Sequence, residues 1–104
     1  MIFRRRRFAD VITRQLELFE REHRGLIDDC KAAEQSYNRA ERDEAEERYG
    51  DYVDLVETGT EVLADLRDNF AATLDENAAE EYEDAFNRAV ARRLPRFALE
   101  IENR

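Results

Sequence analysis

Residues 8–37 read FADVITRQLELFEREHRGLIDDCKAAEQSY, and residues 45–74 read AEERYGDYVDLVETGTEVLADLRDNFAATL. Within each stretch, one set of mostly apolar residues recurs at steps of three and four, the spacing that places side chains on one face of an α-helix. In the first stretch these residues are Phe8, Ile12, Gln15, Phe19, His23, Leu26, Cys30, Ala33 and Tyr37. In the second they are Ala45, Tyr49, Tyr52, Val56, Leu63, Leu66, Phe70 and Leu74. Because the stretches have matched lengths, they predict two helices packed as a long antiparallel hairpin.

The turn of this hairpin is predicted at residues 39–44, which carry no large apolar side chain. Asp43 followed by Glu46 has the spacing of a capping box, a signal for the start of a helix. We therefore expect helices over about residues 8–38 and 44–74. An alternative stays open, because residues 39–43 all tolerate a helix. One unbroken helix could then pair with a second chain.

A shorter third helix is predicted over residues 77–94. Asn77 and Glu80 have the spacing of another capping box, and Pro95 ends the helix because it cannot donate a backbone hydrogen bond. The tail, residues 95–104, is expected to form an extended strap or a last short turn. Together these elements predict an all-α fold, a three-helix bundle that forms oligomers, in a single domain over residues 1–104.

Composition and net charge exclude several functional classes. The chain has 104 residues and a net charge of −9, so phosphate backbones would be repelled and a general nucleic-acid binder is not expected. A hydrophobic fraction of 42% is enough to form a core. Cys30 is the only cysteine, which excludes an intrachain disulfide, and its place in the apolar pattern predicts a buried thiol. The sequence has no run typical of a signal peptide or a membrane span, so we expect a cytoplasmic protein without stable membrane association.

The unequal helix lengths predict an interaction surface. At 1.5 Å per residue, each hairpin helix spans about 45 Å and the third helix about 25 Å, so the distal end of the hairpin stays uncovered. Tyrosine is favoured in protein interfaces, and three of the four tyrosines lie at this end. The predicted interface residues are Tyr37, Tyr49, Tyr52, Val53 and Val56. The alternative is that the tail folds over this region and buries it within one chain.

Glu20-Arg21-Glu22-His23 places a carboxylate and an imidazole on one helix face. This Glu-x-x-His spacing resembles the half-site of ferritin-like di-iron bundles, and a hairpin with a third helix is similar to the short encapsulated ferritins, which become active as oligomers. The resemblance implies an alternative function, iron binding through Glu20 and His23 in a site completed between chains. The sequence departs from that family, since it has no second Glu-x-x-His and no further inward carboxylates.

Two polar residues on the apolar faces also have structural interpretations. Reflection through the predicted turn places His23 opposite Gly59, whose missing side chain would leave room for a buried imidazole. The same reflection places Arg67 near Gln15, where a carboxylate from the third helix could complete a polar layer. The basic run Arg4–Arg7 is expected either to pair with the acidic residues at its end of the hairpin or to contact an anionic partner.

No catalytic set, cofactor motif or phosphate-binding loop is present. We therefore expect a protein that is not an enzyme, carries no cofactor and acts by protein–protein association. Its expected partner is itself, as a homodimer or a higher oligomer, or another protein, with no nucleic acid.

Overall fold

The computed structural model describes residues 7–104. This part of the chain is helical and contains no strand, which confirms the all-α class. The helices are α1 (Ala9–Glu22), α2 (Arg24–Arg39), α3 (Ala45–Ala71), α4 (Glu76–Arg93) and the short α5 (Ala98–Glu102), with a 3-10 turn at Pro95–Phe97 between α4 and α5. The described residues therefore form four long helices rather than the predicted three.

The additional helix arises from a break at His23, where the backbone takes φ −117° and ψ 32°. Helical hydrogen bonding continues across the break, since the His23 amide donates to the Phe19 carbonyl at 2.9 Å and the His23 carbonyl accepts from Ile27 at 3.0 Å. The chain therefore bends without reversing. On one side of the bend, α1 packs chiefly on α4, and on the other side α2 packs along α3. The predicted hairpin of two equally long helices is therefore shorter. It consists of α2 and the part of α3 that packs against α2.

The C-terminal segment returns across α3 close to this bend. The Phe97 ring occupies the space beside Gly59, so that a Cβ atom built on Gly59 would lie 2.5 Å from Phe97 Cε1. The same ring meets Phe19 edge-on at a centroid distance of 5.8 Å. The prediction that Gly59 accommodates His23 is therefore wrong, because Phe97 fills that position. His23 instead lies half-buried at the bend, with its ring 5.3 Å from that of Phe19.

The helix ends differ from the predicted capping boxes. Residues 40–44 form the turn between α2 and α3, which excludes the unbroken helix. The residue that precedes α3 is Glu44, and its side chain makes no capping bond. At the start of α4, Asp75 rather than Asn77 is the cap, and its carboxylate accepts a hydrogen bond from the Ala78 amide at 2.9 Å. This bond satisfies one of the free amides of the first turn.

Arg67 is buried, at 4% exposure, and it connects three helices. Its Nη1 donates to the Asn87 side-chain oxygen of α4 at 3.0 Å and to the Ile101 carbonyl of α5 at 3.1 Å, while Nε pairs with Asp68 at 2.8 Å. The inward position was predicted correctly, but the predicted partners were wrong. Gln15 instead accepts a hydrogen bond from the Tyr82 hydroxyl at 2.8 Å.

We expect Gly59→Ala to destabilise the fold by about 1–3 kcal/mol, because the added methyl group overpacks the Phe97 ring. Gly50→Ala is the matched control, since a Cβ atom there meets nothing within 4 Å. That change should stabilise the protein by about 0.5–1 kcal/mol through higher helix propensity. Urea unfolding of both variants measures the difference. Equal stabilisation by the two substitutions would contradict the contact between Phe97 and Gly59.

The raised pKa of the Tyr82 hydroxyl predicts that the protein loses stability at alkaline pH. Burial raises the pKa of Tyr82 to about 12, whereas an unfolded tyrosine titrates near a pKa of about 10. Between these values the unfolded chain releases the phenolic proton while the folded chain keeps it. The free energy of unfolding should therefore fall by up to about 1.4 kcal/mol per pH unit as the pH rises from 10 to 12. Urea unfolding at several pH values should show this slope, and Tyr82→Phe should remove it. An unchanged slope in the variant would contradict this assignment.

Candidate functional site

Within residues 7–104, the distal end of the hairpin is the part that the other helices leave uncovered. Cys30 on α2 and Val56 on α3 are buried, but none of residues 31–55 between them is. We call residues 31–55 the distal arm. The described residues extend 51 Å along their longest axis and only 24 and 23 Å across it, consistent with a projecting two-helix element.

The predicted interface residues divide along this arm. Tyr37 and Tyr49 lie farthest out, 38% and 51% exposed, and their rings pack against each other at a centroid distance of 5.1 Å. Tyr52 and Val53 are half-buried nearer the core. Val56 lies in the core itself, at 7% exposure. The aromatic surface that a partner can reach is therefore centred on Tyr37 and Tyr49.

The C-terminal segment covers the base of the arm and goes no farther. Arg96 donates a hydrogen bond from Nη1 to the Tyr52 hydroxyl at 3.0 Å, and its guanidinium carbon lies 5.6 Å from the centre of the Tyr52 ring. Its Nη2 pairs with Glu34 at 3.3 Å. This agrees in part with the alternative in which the tail folds over the distal region. Arg96 was not among the residues predicted from the sequence. Pro95, which occupies the first position of the 3-10 turn, was the feature that could have indicated it.

Glu20 and His23, the residues of the iron-binding alternative, have other contacts within the chain. Arg93 donates to the Glu20 carboxylate at 2.9 Å from Nε and at 2.8 Å from Nη2. The His23 ring packs against Phe19. Among residues 7–104, no group of three or more His, Cys, Asp or Glu side chains is placed to hold a metal ion. An iron site through this pair would thus need ligands from another chain, and it stays a prediction.

Two further sequence predictions concern charge and reactivity. Arg4–Arg6 lie outside the described residues, while Arg7 lies 3.8 Å from the Glu81 carboxylate. Cys30 is fully buried, as predicted, and burial raises the pKa of its thiol. A thiol with a raised pKa is a poor nucleophile at neutral pH. Cys30 therefore acts as a small apolar residue at the base of the arm.

Comparison with protein-family models, with curated proteins and with solved structures gives no match to this chain. Of the helices within residues 7–104, none is long and apolar enough to cross a membrane.

Proposed function

We propose that this protein acts by association, and that the distal arm of one copy docks on the distal arm of a second. The observation that supports this proposal is the absence of any buried residue over 31–55, a segment that nevertheless carries two aromatic side chains at its outer end. An isolated pair of helices buries little apolar surface, and helices obtain most of their stability from packing. A second arm laid across the first would supply the missing layer.

The dimensions of the arm set the strength of this association. Residues 31–39 of α2 extend about 14 Å, and two helices side by side are about 20 Å wide. One face of the arm thus offers on the order of 300 Å² per chain, well below the roughly 800 Å² per partner of a stable complex. We therefore expect a reversible dimer that forms with a dissociation constant in the micromolar range or weaker.

The tyrosine pair favours a second copy of the chain as partner, whereas the charge of the arm opposes it. The tyrosine pair is compact and apolar in character, and a two-fold axis through it would bring the same patch from both chains together. The arm also carries eight acidic and four basic residues. Two such arms repel each other, so the apolar contact must overcome this repulsion, and added salt should strengthen the dimer by screening it. A basic protein partner would show the opposite dependence.

The states of Cys30 and Glu20 also bear on where the protein acts and on whether it catalyses a reaction. The buried lone cysteine suits a reducing cytoplasm. Cys30 is buried and Glu20 is held in an ion pair, which suits a binding protein rather than an enzyme.

We expect Tyr37→Glu/Tyr49→Glu to weaken self-association by more than tenfold, because it places four additional negative charges across the two-fold contact. The variant should keep its helicity, since both side chains lie outside the core. Leu99→Glu is the control, because Leu99 is also apolar, is 75% exposed and lies on α5, outside the arm. Sedimentation velocity over a wide range of protein concentrations, at low and at high salt, gives the dissociation constants.

Three results would overturn the proposal. The first is a wild-type protein that stays monomeric at every concentration. The second is an equal effect of the arm variant and of Leu99→Glu. The third is a dimer that forms only after Fe(II) is added to metal-free protein and that His23→Ala abolishes, since this would support the iron-binding alternative.

A further inference from the structure

A cleft of about 410 Å³ lies between α2, the end of α4 and the 3-10 turn, at the base of the distal arm. Its volume falls in the range of small-molecule binding sites. The side of the cleft next to the core is apolar, formed by Ile27, Leu94 and Phe97. Half of the remaining lining residues are cationic: Arg24, Lys31, Arg93 and Arg96.

The α2 wall of the cleft is one face of that helix. Arg24, Ile27, Lys31 and Glu34 follow one another at steps of three, four and three residues, which aligns their side chains. Arg24 and Lys31 are exposed, and Ile27 between them packs against the core. This wall therefore presents one cation on each side of the apolar Ile27 side chain.

The charges of the cleft do not balance. Its two carboxylates are already paired, Glu20 with Arg93 at 2.8 Å and Glu34 with Arg96 at 3.3 Å. Within residues 7–104, neither Arg24 nor Lys31 has a carboxylate at salt-bridge distance. Two cations thus remain uncompensated in a protein whose net charge is −9. Lys31 is also the only lysine of the chain.

We propose that this cleft binds a small organic anion with an apolar body, such as an alkyl or aryl carboxylate. The anionic group contacts Arg24 and Lys31, and the body lies against Ile27, Leu94 and Phe97. Arg93 and Arg96 hold the walls through their ion pairs. The apolar side favours such a ligand over inorganic phosphate, which would use only the cations. Nucleic acid is disfavoured because the overall charge of the protein repels it.

Fluorescence titration with 1-anilinonaphthalene-8-sulfonate, an aromatic anion, provides a direct test. The probe should bind one site per chain, and octanoate should displace it. Arg24→Gln and Lys31→Gln should each weaken binding about threefold to fivefold, as expected for exposed charges, and together more than tenfold. Arg14→Gln is the matched control, because Arg14 is an exposed arginine of α1 outside the cleft. Circular dichroism verifies that each variant keeps its helices.

Several outcomes would overturn the proposal. Binding of the probe that is unchanged in the Arg24→Gln/Lys31→Gln variant, or equally weakened by Arg14→Gln, would show that the dye binds elsewhere. Displacement by inorganic phosphate as effective as displacement by octanoate would exclude a role for the apolar side. Displacement by an oligoglutamate peptide but not by octanoate would assign the cleft to an acidic protein segment. The titration is made at protein concentrations where the chain is monomeric, so its result does not depend on dimer formation.

Discussion

The packing of the Phe97 ring on Gly59 is the contact on which the rest of the structure depends. Glycine is the only residue that lets an aromatic ring lie this close to the backbone of α3. With Phe97 there, the C-terminal segment occupies the place opposite Gly59, and the chain bends at His23 so that α1 packs on α4. Arg67, also on α3, holds the same segment by donating a hydrogen bond to the Ile101 carbonyl. The C-terminal segment thus serves as an additional wall of the core.

The reach of this segment also decides where the core ends. Arg96 contacts Tyr52 and Glu34, and beyond these residues nothing covers the hairpin within the described chain. The uncovered part is the distal arm beyond its base, and the gap between the returning segment and α2 is the cationic cleft. The two proposed binding surfaces therefore overlap at the base of the arm, where Lys31, Glu34 and Tyr52 belong to both. A ligand in the cleft would contact the base of the element that is proposed to dimerise.

The sequence predicted the features that local pattern determines. The spacing of Ile12, Phe19, Leu63 and Phe70 gave the helices, residues 39–44 gave the turn, and Pro95 marked the end of α4. The inward positions of Cys30 and Arg67 followed from the same pattern. The packing around the bend at His23 was not predictable in this way, because it involves Phe97, a residue 74 positions later in the chain. Matching residues of the first two predicted helices across their turn allows for only two helices at Gly59. For this reason His23 and Gln15 were assigned to the wrong neighbours. The cleft was missed for the same reason, since its cations come from helices whose relation depends on that bend.

Amide hydrogen exchange along α3 tests most directly whether the C-terminal segment sets the boundary between core and arm. Measured by mass spectrometry on dilute, monomeric protein, exchange should be slow from Gly59 to Arg67, where Phe97 and α5 cover the helix. It should be orders of magnitude faster from Ala45 to Val53, where exchange requires only local opening of the two-helix arm. The change should fall between Val53 and Gly59. Uniform protection from Ala45 to Ala71 would contradict the account, because it would show that the hairpin is stable along its whole length without a third layer.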